Sequence, residues 1–149
     1  MVSSSIHIDD TIMLWDPHSE ELVQETNIHK SIVSKVLFHP EGNTYFSLSK
    51  DNLIEEHEIR KRGIVNRFHL DFEPTHMKVL KDRSIVVGDC GGYMSWFTEN
   101  GQLVHKYKGP SGVVLFDIDQ TNSVLVLGRE REHTFEVYTK SDAFNIHKY

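Results

Sequence analysis

The chain has 149 residues, enough for one domain or part of one, since domains run to roughly 100–200 residues. Hydrophobic residues at 38% and charged residues at 26% exclude a disordered acidic tail, and a formal charge of −6 disfavours general affinity for nucleic acid or acidic membranes. The lone cysteine, Cys90, excludes an internal disulfide, and no spacing suggests a zinc ribbon. These features favour a reducing intracellular compartment, cytoplasmic or nuclear.

Met1 to Asp10 lacks a basic region followed by an apolar run, so it does not read as a secretory signal. No stretch reaches the ~20 consecutive apolar residues of a membrane helix. Along the chain, short runs rich in Val, Ile, Leu, Phe and Tyr alternate with Gly, Asn, Asp, Ser and Pro. That rhythm reads as antiparallel strands joined by tight turns, an all-β fold. The first predicted strands are Val2–Ser5, Thr11–Trp15 and Glu21–Glu25. Val33–Phe38, Thr44–Ser49, Leu53–Ile59 and Ile64–His69 follow. Next come Thr75–Val79, Ser84–Asp89, Tyr93–Phe97 and Leu103–Tyr107, then Val113–Asp117, Ser123–Leu127, Thr134–Tyr138 and Phe144–Lys148. Turn signals between them include Pro40-Glu41-Gly42-Asn43, Asp51-Asn52, Arg62-Gly63, Gly91-Gly92 and Asn100-Gly101, whose Gly and Asn tolerate the positive φ of hairpin turns.

A repeat organises these strands. The segment from Asp10 to Asp16 aligns with Asn52 to Glu58, with Gly92 to Thr98 and, more loosely, with His133 to Thr139. Taking Trp15, His57, Phe97 and Tyr138 as equivalent gives spacings of 42, 40 and 41 residues. A period of ~40–45 residues with four strands per unit is the mark of propeller blades.

The best unit runs from Ile28-His29 through Val33 to Phe38, His39-Pro40-Glu41-Gly42, Ser47-Leu48-Ser49-Lys50-Asp51 and on to Glu58-Ile59. With the Trp15-Asp16 dipeptide, it resembles the WD-repeat β-propeller family. The resemblance spans nearly the whole chain, with blades at about 1–27, 28–70, 71–108 and 109–149. It implies a partial or small propeller of four-stranded antiparallel blades. It further implies a buried His–Ser–Asp–Trp hydrogen-bond network joined by His29, Ser49 and Asp51, with Trp15 and Asp16 at the corresponding strand end of the first unit. Position 57 departs from the pattern, carrying His where the family usually has Trp. About three and three-quarters blades are present, beginning inside a blade, whereas propellers close with 4–8. The expectation is a fragment, a truncated isoform, or a propeller completed by another chain.

Other motifs point elsewhere. Val113 to Thr121 resembles the first motif of haloacid dehalogenase-like phosphatases, in which Asp117 would be nucleophile, Asp119 general acid and base, and Mg²⁺ the charge-neutralising ion. That motif opens an α/β domain, and only 28 residues without a helical pattern follow Thr121. His57-Glu58-Ile59-Arg60-Lys61 stops one ligand short of a metalloprotease motif and alternates like a strand. The dispersed histidines suggest no metal site. Arg60, Lys61 and Arg62, with Arg67, concentrate positive charge on a hairpin that suits an acidic peptide, a lipid headgroup or a nucleic-acid backbone.

The expected function is a non-enzymatic scaffold for other proteins or subunits of a complex, with no cofactor, metal or catalytic residue. By resemblance, the lead-in loops Thr26–Ile32 and Gly109–Gly112 would carry contacts. A lipid- or nucleic-acid-binding module built on the basic hairpin is the alternative, with the phosphatase a distant third.

Overall fold

The computed structural model describes residues 2–4, 11–109, 113–119, 124–129, 134–141 and 145–148. They form fifteen strands. The first seven are β1 Val2–Ser4, β2 Ile12–Trp15, β3 Leu22–Thr26, β4 Val33–Phe38, β5 Thr44–Ser49, β6 Leu53–Glu58 and β7 Gly63–His69. The next four are β8 Pro74–Val79, β9 Ile85–Asp89, β10 Tyr93–Phe97 and β11 Leu103–Lys108. The last four are β12 Val113–Ile118, β13 Val124–Arg129, β14 Thr134–Ser141 and β15 Asn145–Lys148. The paired strands run antiparallel in sequence order, giving one three-stranded sheet (β1–β3) and three four-stranded sheets (β4–β7, β8–β11, β12–β15). The fold is all-β and its sheets are blade-like.

Two compact units divide the chain, residues 1–74 and 75–149. In the first, Ile12, Val33 and Tyr45 form a buried cluster against Val36 and Ile59. Strand β5 is buried at every position, and β6 at all but its last, as expected of inner strands covered on both faces. The second unit has its own core of Leu80, Val86, Met94 and Trp96 with Phe116, Ile118 and Leu125. A Cβ on Gly88 would lie 2.8 Å from the Phe116 ring, so only glycine admits that ring so close to β9.

The repeat reaches the backbone. Register slips between the last two strands of each of the first three sheets, at Leu14/Trp15, Glu56/His57 and Trp96/Phe97. Each slip leaves one extra residue on the outer strand, a β-bulge. That residue is valine each time: Val23, Val65 and Val104, skipped between partners of the inner strand. Chain periodicity and backbone irregularity thus share one phase.

Candidate interaction site

The site lies in the first unit, where β3 approaches the β6–β7 hairpin. Glu58 ends β6, four turn residues follow, and Gly63 starts β7. Arg62 closes that turn with φ of 52°, a left-handed conformation that a side chain adopts only at a cost. A cleft of about 480 Å³ opens here, lined by Val23 to Ile28 on one side and Arg62, Gly63 and Ile64 on the other, with His57 also on its wall. In the sequence the lead-in loop and the basic hairpin read as separate surfaces. In the fold, Thr26, Asn27 and Ile28 of the loop share one cleft with Arg62 of the hairpin.

The four basic candidates are not equivalent. Lys61 pairs with Glu58 at 3.1 Å, an exposed contact worth little. Arg67 turns one guanidinium nitrogen inward to the carboxylate of Glu55 at 2.6 Å, so its charge is partly committed to the interior. Arg60 and Arg62 are exposed, and Arg62 alone of the four lines the cleft.

Beneath the cleft runs a buried polar chain. The His29 Nδ1 stands 3.6 Å from Asp51, and its Nε2 shares a 2.8 Å hydrogen bond with the Ser47 hydroxyl. Ser47 continues to the His57 Nε2 at 3.3 Å, and that nitrogen lies 3.3 Å from the fully buried Glu55 carboxylate. The His57 ring stacks flat on Tyr45, centroids 4.6 Å apart. Burial, then the nearby His29 and Arg67, push the His57 pKa down to about 4, so the ring is neutral at pH 7. Burial also raises the Tyr45 hydroxyl, and Glu55 adds to it against a hydrogen bond with Thr26. For Asp51, burial pushes the carboxyl up. The Lys30 N–H, His29, Ser49 and the Leu53 N–H outweigh that and hold it below the usual range.

Of the residues expected in that network, His29 and Asp51 come within 3.6 Å of each other without a hydrogen bond. The Ser49 hydroxyl accepts from the Asp51 N–H at 3.5 Å and also lies within donating reach of the carbonyls of Ser31 and Ile32 at 2.9 and 3.0 Å, while Ser47 supplies the hydroxyl at His29. Trp15 ends β2 opposite Leu22, and the Asp16 carboxylate accepts from the His18 N–H at 2.8 Å, closing the β2–β3 hairpin. Sequence reasoning missed Ser47, Glu55 and the inward role of Arg67. A signal existed in strand alternation: Ser47 and Ser49 share one face of β5, and Glu55 and His57 one face of β6.

The phosphatase reading fails on fold. Asp117 lies in β12, which pairs antiparallel with β13, where the motif requires the opening strand of an α/β domain. Its carboxylate is exposed and paired with Lys78 at 2.7 Å. Burial pushes that carboxyl up, but Lys78, the Ile118 N–H and His76 hold it low. Asp119 follows the strand and Thr121 lies outside the described residues. His57 sits in a strand, where a metalloprotease motif needs a helix. Among the described residues no group of three or more His, Cys, Asp or Glu side chains is disposed to hold a metal ion, and no helix is long and apolar enough to cross a membrane. Of the second lead-in loop, Gly109 follows β11, and residues 110–112 lie outside the described residues.

A larger cleft of about 600 Å³ in the second unit is lined by Arg83, Trp96, Glu99 and Val104 among others. Arg83 and Glu99 neutralise each other there. The first-unit cleft keeps an exposed cation on its lip and is the stronger candidate. No protein-family model matches the chain, and a search of curated proteins finds no match either.

Proposed function

We propose that the chain is a non-enzymatic protein–protein interaction module, a WD-repeat-like propeller segment that presents the β3/β6–β7 cleft to a partner protein. The observation carrying this reading is the convergence of the Thr26–Ile28 lead-in and Arg62 on one cleft between antiparallel sheets. Loops anchored at both ends by sheet lose little conformational entropy on binding, which favours recognition by a preformed surface. The apolar lips Val23 and Ile64 supply contact area and Arg62 supplies orientation. The inner strands beneath support the reading by fixing the cleft wall: the polar chain from Asp51 to Glu55 ties β5 and β6 to the lead-in segment through His29.

The test is a selection from a displayed random-peptide library, with wild-type protein and an Arg62→Glu/Ile64→Lys variant as parallel baits. The reading expects clones retained by the wild type and lost on the variant. Retention of no clones, or equal retention by both baits, overturns it. Mg²⁺-dependent phosphate release from p-nitrophenyl phosphate would contradict the non-enzymatic part.

A further inference from the structure

The outer strands of three successive sheets, β3, β7 and β11, are edges, and each carries two adjacent apolar residues at or next to its start. These pairs are Leu22-Val23, Ile64-Val65 and Leu103-Val104, and each residue is between 38% and 58% exposed. Neighbours on a regular strand point to opposite faces. Here the bulged valine breaks that alternation, so both members of each pair stay open to solvent. Their flanks differ in charge. Glu20, Glu21 and Glu25, all exposed, surround the pair on β3. Arg60, Lys61, Arg62 and Arg67, all exposed, surround the pair on β7.

We propose that β3 of one copy docks on β7 of a second copy of this chain, an acidic-flanked apolar pair against a basic-flanked one. The proposal rests on the interaction-module reading and names the partner. Set antiparallel, Leu22 meets Val65 and Val23 meets Ile64, while Glu25 meets Arg62 and Glu20 meets Arg67. Arg67 keeps outward donors for this although one nitrogen serves Glu55, because its side chain is 48% exposed. The β11 pair fits less well in the same alignment: Leu103 and Val104 again oppose the apolar residues, but Gly101 falls opposite Glu25 and only Lys106 opposes a carboxylate. Bulges in both strands interrupt a backbone ladder, so side chains carry the contact and the sheets do not fuse. Because two different surfaces meet, the contact is head-to-tail, and it forms rings if the rotation closes and open chains if it does not.

The experiment is sedimentation equilibrium of the full chain over a concentration series, at about 20 mM and about 0.5 M salt, where screening lengths differ several-fold. Weight-average mass is expected to rise with concentration at low salt and to fall back at high salt. Glu25→Arg or Arg62→Glu alone should weaken association at least ~10-fold, and an equimolar mixture of the two single variants should form mixed dimers through the restored Arg–Glu pairing. The double variant Glu25→Arg/Arg62→Glu should regain self-association to within about threefold of wild type. Val65→Lys should weaken it without charge rescue. A wild type that stays monomeric throughout, or association indifferent to these substitutions, overturns the proposal. Either result leaves the interaction-module reading to stand or fall on its library selection.

Discussion

His57 is the residue whose chemistry is most altered by the fold. Its ring is neutral and buried between Tyr45 and Ser47, with its pKa pushed down to about 4 from 6.5. Below pH 6.5 the unfolded chain takes up a proton that the folded chain resists, so stability is complete above 6.5 and drains away towards pH 4. Chemical denaturation at pH 7 and pH 4.5 should differ by roughly 2–3 kcal/mol from this residue. Asp51, held low, adds a further loss as pH falls below its ordinary value of 3.8. In His57→Phe, which keeps a ring against Tyr45, the loss between pH 6.5 and 4.5 should largely vanish. An unchanged acid limb would show that the ring does not titrate as described. Two other residues define local costs. Arg67→Ala strips the ion pair from a carboxylate with no exposure and should destabilise by about 1–3 kcal/mol, with Glu55→Gln recovering part of it in the double variant. Gly88→Ala drives a methyl into the Phe116 ring and should cost about 1–3 kcal/mol, read as a lowered denaturation midpoint at constant slope.

At the level of elements, the strands were legible because each apolar run is short and bounded by Gly, Asn, Asp or Pro. Every predicted strand has its counterpart within about three residues at either end, and Val33–Phe38, Thr44–Ser49 and Tyr93–Phe97 coincide. The repeat phase was legible through Trp15, His57 and Phe97, the positions at which the ladders slip. The bulges themselves were not, because a skipped valine changes pairing without altering the apolar pattern. The cleft was half legible. Its basic hairpin and lead-in loop were both marked, but their meeting depends on how two sheets of the first unit pack, which no local pattern encodes. The sequence does not single out Ser47, because Ser49 stands two residues away on the same face and only the packed position of His29 distinguishes them. The β6–β7 turn offers a prediction of its own. Arg62 holds a left-handed φ, so Arg62→Gly should leave stability within about 1 kcal/mol of wild type or raise it, while weakening self-association. A fall in stability well beyond that would mean the arginine supports the turn itself.

At the scale of the whole molecule, blade-like sheets recur in both units, and in the first unit two of them wall the candidate cleft. Inner strands β5 and β6 are buried, and outer strands β7 and β11 expose the apolar and charged residues available for contact. The cleft inherits its rigidity from them, which is why binding is expected to change local protection and not the fold. The most direct measurement is backbone hydrogen exchange of the full chain with and without a peptide taken from the library selection. Exchange should slow at Asn27 and Ile28 and across Arg62 to Ile64, with the second unit unchanged. Protection confined to Arg83–Ser84 and Thr98–Gln102, or no protection anywhere, would contradict the assignment of the cleft as the binding surface.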